Sequence, residues 1–139
     1  MTLTRLTVQT HGPACHDITR EVAAVVSGLG DGIVTLFLRH TSCSLLIQEN
    51  ADPDVQRDLL GWLERIAPSA DHPSMGWITH RAEGPDDMPA HLKAAVLPTC
   101  LQIPVERGRM VLGTWQGIYL VEHRRAPHRR EVVVKFQAG

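Results

Sequence analysis

A chain of 139 residues falls in the size range of one domain and can bury a core without disulfide or metal staples, so a single domain over residues 1–139 is expected. With 14 basic against 15 acidic residues the formal net charge is −1, which supplies no field to gather nucleic acid or an anionic membrane surface. Apolar residues make up 43% of the chain but aromatic ones only 4%, so the core must be built from Val, Leu, Ile and Ala.

The opening MTLTRLTVQT lacks the apolar stretch of a secretory signal, and nowhere do roughly 18 apolar residues run together, so a cytoplasmic location is expected. Residues 2–10 alternate Leu3, Leu6 and Val8 with Thr and Arg and read as a half-buried strand, broken by His11-Gly12-Pro13. Asp17 can cap a helix carrying Ile18, Val22, Val25, Val26 and Leu29 at helical spacing, which ends at Gly28 or Gly30. Residues 32–39 (GIVTLFLR) and 44–48 (SLLIQ) are β-branched or apolar and predict two central strands. Asp52-Pro53 is a cap followed by proline at the first helical position, and Val55, Leu59, Trp62, Leu63 and Ile66 then mark an amphipathic helix ending before Pro68.

Residues 69–85 form a long irregular segment, which in a compact domain is usually functional or flexible. A short helix follows between Asp87 and Leu97, then strands over 99–105, 109–113, 116–123 and 131–137, with a turn at Glu106-Arg107-Gly108. The last strands lack crossover helices, so the expected fold is α+β, a single-domain sandwich of a mixed or mainly antiparallel sheet with helices packed on it.

Chemistry concentrates between His80 and His91, where two histidines and three carboxylates share twelve residues. Adjacent Asp86 and Asp87 repel unless a cation or a helix N-terminus offsets them. With Asp87 as the helix cap, His91 lies four residues on along the same face, a spacing at which carboxylate and imidazole can converge on one ion. The plain alternative is a capping Asp87 and a surface His91. His40 interrupts an otherwise apolar strand, FLRHTSCSLL, and needs a partner if buried. Glu49 and Asn50 follow at the end of the next strand.

Cys15, Cys43 and Cys100 are far apart and form no CxxC pair, so free thiols are expected. A Cys43–His40 dyad is disfavoured, because residues three apart on an extended strand face opposite sides. The run Gly113 to Leu120 (GTWQGIYL) invites close approach of a ligand beside Gln116, or else holds a bulge with a packed Trp115. In EHRRAPHRR, from Glu122 to Arg130, the common explanation is a solvated turn, with Arg124 the one arginine expected to face a site and its fork suited to phosphate.

The blocks HTSCSLLIQENADPDVQRDL, THRAEGPDDMPAHLKAAVL and IPVERGRMVLGTWQGIYLVEHR resemble the signature segments of the YjbQ family, and the likeness runs from the first strand to the last. It implies a homotrimeric α+β sandwich whose sites combine histidines and acids near subunit boundaries and bind a metal or an anion. The implied positions are His40, Glu49, His80 and His91, with Asp87, Gln116 and Arg124 as neighbours. Thiamine phosphate synthase activity is associated with some members. Cys43 and Pro98 depart from the family pattern without touching these positions.

Two functions are therefore expected to compete. In the first, His40, His80 and His91 hold a divalent metal, zinc being favoured, Glu49 or Asp87 supports the ligands or moves a proton, and Arg124 with Gln116 receives a small phosphorylated metabolite. In the second, the same cluster binds a metal or phosphometabolite within a trimeric module without turnover.

Overall fold

The computed structural model describes residues 3–139, and the expected strand start at Thr2 lies outside them. Two antiparallel sheets pack face to face. The larger has the order β1-β8-β3-β5-β6, formed by β1 (Thr4–His11), β3 (Gly32–Leu38), β5 (Cys100–Glu106), β6 (Arg109–Met110) and β8 (Pro127–Ala138). The smaller is β2-β7-β4, formed by β2 (Ala14–Asp17), β4 (Cys43–Glu49) and β7 (Gln116–Glu122). The two strands expected to be central thus separate: β3 lies inside the larger sheet, whereas β4 is an edge of the smaller one, whose centre is β7.

Alternation sorts each strand's side chains. Val34, Leu36 and Leu38 of β3 and Val132 and Val134 of β8 turn inward to meet Cys43 and Leu45 of β4 and Ile118 and Leu120 of β7. Helix α1 (Thr19–Val26) closes this core with Val22 and Val26. Its start is held by Asp17, whose Oδ1 accepts from the Thr19 N–H at 2.9 Å. Ile33 and Phe37, of opposite parity on β3, stand exposed on the outer face of the larger sheet. The β5–β6 turn places Arg107 and Gly108 at φ 52° and 75°, the left-handed pair that a tight hairpin demands.

Helix α2 (Pro53–Ile66) follows its sequence signal: the Asp52 side chain accepts from the Asp54 N–H at 2.9 Å, and Pro53 opens the first turn. Leu60 and Leu63 seat it on Tyr119 and Val121, the outer face of the smaller sheet. Helix α3 (Asp87–Val96) is tied to α2 by buried Lys93, whose Nζ donates to Glu64 at 2.8 Å. The long segment before α3 carries its own small core of Ala70, Met75 and Ile78 against Met88 and Leu92. Arg81 fastens it by donating to the carbonyls of Ala70 and Met75. No helix of the described residues is long and apolar enough to cross a membrane.

Candidate metal centre

The site begins with a turn. Gly84 adopts φ 99°, a conformation that favours glycine, and folds Glu83 back toward the first turn of α3. Asp87 is the first residue of that helix, and its expected role as cap is corrected: the cap position is Asp86, which makes no side-chain capping bond. Freed from capping, the Asp87 carboxylate is buried and central. Its Oδ2 lies 2.7 Å from His80 Nε2 and 3.1 Å from His91 Nε2, and His80 Nε2 is 3.4 Å from Glu83 Oε2. One ligand atom from each of His80, Glu83, Asp87 and His91 lies within 4.8 Å of the others.

Arg124, which follows β7, locks the acids. Its Nε donates to Asp86 Oδ2 at 3.0 Å, its Nη1 to Asp87 Oδ1 at 2.6 Å and its Nη2 to the Glu83 carbonyl at 3.3 Å. The repulsion that adjacent aspartates imply is thereby offset by one guanidinium and the helix N-terminus together. Burial works to raise both carboxyls. It is outweighed at Asp86 by the Arg125 N–H and Arg124, and at Asp87 by His80 first, then Glu83, His91 and Arg124, so both sit below the ordinary carboxylate value. His80 is raised above the usual imidazole value, first by its hydrogen bond to Asp87 and then, against some desolvation, by the charges of Asp87 and Glu83.

The tautomer of His91 is the most informative detail. Its Nδ1 lies 2.8 Å from the Thr41 carbonyl, an acceptor only, so Nδ1 carries the proton. In the neutral ring Nε2 then presents a lone pair to the Asp87 carboxylate, and two acceptors face each other at 3.1 Å. A cation between them, whether a proton or a metal, turns this repulsion into attraction. An imidazole whose outer N–H is held by a carbonyl is also the arrangement that metal-ligating histidines use to fix their lone pair. Two imidazoles and two carboxylates suit zinc, and also manganese or iron. Tetrahedral zinc needs ligand atoms about 3.3 Å apart, so the 2.7 Å approach of His80 to Asp87 must widen and the longer separations, all within 4.8 Å, must close, changes that exposed His80 and Glu83 can supply by rotation.

The remaining expected residues lie elsewhere within the chain. His40 does not join His80 and His91: its Nε2 accepts the main-chain N–H of Glu131 at 3.0 Å, and its ring lines a cleft on the outer face of the larger sheet. Glu49 and Gln116 pair with each other at the far end of β4, about 20 Å from the Thr41 end by strand rise. There Glu49 Oε2 accepts from the Asp52 N–H at 3.2 Å and Gln116 Oε1 from the Gly113 N–H at 2.8 Å, so both hold turns. Arg124 faces the cluster as expected, but as a clamp on its acids. Cys43 is fully buried, and burial pushes its thiol up to about 12, which leaves it inert as a nucleophile or soft ligand. Glu83 is the addition; its signal was the glycine after it, which lets the chain turn back.

Comparison with known proteins agrees with the fold. The profile of the UPF0047 protein YjbQ-like family matches residues 4–139. The chain is 47% identical over 131 residues to the UPF0047 protein sll1880 of Synechocystis sp., covering 93% of this chain and 86% of that protein. It is 38% identical over 135 residues to the UPF0047 protein YjbQ of Escherichia coli O157:H7, covering 95% and 94%. Among solved structures, the conserved hypothetical protein TT1486 from Thermus thermophilus superposes with a TM-score of 0.83 at 40% identity, over 96% of this chain and 99% of that one. With the profile spanning nearly every residue and the two-sheet sandwich shared, the chain belongs to the YjbQ-like UPF0047 family.

Proposed function

We propose that this chain is a metal-dependent enzyme acting on a small phosphorylated metabolite, with His80, Asp87 and His91 as the ligands, Glu83 completing the set and zinc the favoured ion. The observation that carries the reading is His91 Nε2 held 3.1 Å from the buried Asp87 carboxylate, beside His80, while its other nitrogen meets the Thr41 carbonyl at 2.8 Å. A divalent ion held there supplies Lewis-acid stabilisation of phosphate charge. Arg124 keeps Asp87 ionised and oriented, and its remaining N–H bonds are free to meet a phosphate oxygen at the rim. His80 and Glu83, both exposed, border the open side by which a substrate enters.

The resemblance to YjbQ proteins suggests one reaction to test: hydroxymethylpyrimidine diphosphate joined to thiazole phosphate. A bond forms between the pyrimidine methylene carbon and the thiazole nitrogen, the carbon–oxygen bond breaks, and pyrophosphate departs with its electron pair. Purified protein supplied with zinc is expected to release pyrophosphate from this pair, with at least ~100-fold loss in His91→Ala. Equal turnover by that variant removes the centre from the mechanism. A binding module without turnover is favoured by one fact: neither Glu49 nor Gln116 reaches the cluster within the chain. For that reading, a phosphometabolite should raise the melting temperature yet be recovered unaltered after long incubation. The homotrimer is part of the same proposal, and the exposed Ile33 and Phe37 on the outer face of the larger sheet suit contact with further copies.

A further inference from the structure

Beyond Leu38 the chain leaves the larger sheet for the smaller one, and this crossing opens a cleft of about 310 Å³. Its walls are Thr7 of β1, Arg129 and Glu131 of β8, and Arg39 and His40 of the link. Thr7 and Glu131 are cross-strand partners, so the cleft sits on a rigid ladder. None of these residues belongs to the metal centre. The groups have one polarity with one exception. Arg39, 63% exposed, has only a long 3.9 Å contact with Glu131, and Arg129 makes no ion pair among the described residues. His40 Nε2 accepts from the Glu131 N–H, so the proton of the neutral ring is on Nδ1, its other polar atom, which is a donor. Burial, then the charge of Arg130, hold this ring below the ordinary imidazole value and keep it neutral.

The exception is Glu131. Its Oε1 takes the Arg5 Nη1 at 2.8 Å, and its Oε2 has no close partner among the described residues. With Arg5 from outside the lining already on Glu131, the two lining arginines, Arg39 and Arg129, leave the cleft cationic. A carboxylate among anion-binding donors has a chemical meaning: it repels an anion without hydrogen and accepts from one that carries an O–H. Such a group rejects an analogue lacking the hydrogen far more strongly than shape alone does.

We propose that this cleft is a second binding site, for inorganic hydrogen phosphate, with Arg39, Arg129, Thr7 and the Nδ1–H of His40 as donors and Glu131 as the acceptor of the anion's remaining proton. Sulfate and a dianionic phosphate monoester lack that O–H and bind more weakly. The site stands apart from the metal-centre reading and can fail or hold without it.

The test is calorimetric titration of the chelator-treated full chain, at about pH 7.5, with inorganic phosphate, sulfate and phenyl phosphate in turn. Saturable binding of phosphate, at least about tenfold tighter than either other anion, is expected. Arg39→Gln and Arg129→Gln should each weaken it at least about tenfold. Glu131→Gln should bring sulfate to within about threefold of phosphate, and Arg109→Gln, on the distant β5–β6 hairpin, should change nothing. His91→Ala should bind phosphate as wild type does. These side chains are solvent-facing, and thermal unfolding of each variant verifies the fold. Absence of saturable binding, parity of sulfate with phosphate in the wild type, or equal weakening by Arg109→Gln overturns the proposal.

Discussion

Replacing Glu122 with alanine is expected to destabilise the fold by roughly 3–5 kcal/mol, the range for removing one partner of a buried ion pair. Glu122 is fully buried between the sheets, where its carboxylate receives the Arg130 guanidinium, the Thr10 hydroxyl and the main-chain N–H groups of His123 and Arg124. Arg130, 4% exposed, is left with only Ser42 when that carboxylate goes. The loss extends to the metal centre, because the Arg124 N–H held by Glu122 sets the turn that delivers the guanidinium to Asp86 and Asp87. Urea unfolding measures the change. Replacing both partners, Glu122→Leu with Arg130→Met, should recover much of it, since no charge is then stranded. A single-variant loss under about 1 kcal/mol contradicts the reading of this pair as a structural anchor.

Acid should destabilise the protein through His123 by about 3 kcal/mol, at about 1.4 kcal/mol per pKa unit. The ring is 3% exposed and its Nε2 lies 2.8 Å from Ser44 Oγ. Burial, then the nearby charge of Lys93, lower it to about 4, against the opposing pull of Glu122. In the unfolded chain the same ring takes its proton near 6.5. Between those values the unfolded state binds more protons, so stability falls as pH drops from about 6.5 to about 4 and loses nothing further from this group below that. Denaturant midpoints across that window should slope in the wild type and flatten in His123→Gln. The same slope in both proteins excludes His123 as its source.

Local signals were legible wherever one residue type had one physical use. Asp52-Pro53 could only open a helix, and the four-residue step from Asp87 to His91 placed both on one face of α3. Parity was legible too, but only given the register: Arg130 shares its inward face with Val132 and Val134, yet in EHRRAPHRR it reads as one more solvated arginine. The four-residue β2, ACHD, carried no alternation and was missed. That β4 pairs with β7 and not with β3 is a long-range choice that composition does not encode. The same choice carries Glu49 and Gln116 to the opposite end of the smaller sheet, and His40 to the outer face of the larger one. Sequence therefore supplied the imidazoles and acids of α3 and its approach, whereas separating His40 from them required knowing which main-chain N–H its ring accepts.

A zinc titration of chelator-stripped protein, followed by calorimetry, bears most directly on the cation centre. One ion per chain is expected, with affinity weakened at least ~100-fold in His91→Ala, roughly 10–100-fold in Arg124→Gln, which removes the clamp on Asp86, Asp87 and the Glu83 carbonyl but no ligand, and unaltered in His40→Ala. Equal affinity in wild type and His91→Ala, or a loss confined to His40→Ala, would show that the ring held by Thr41 is not a ligand and that no cation belongs between it and Asp87.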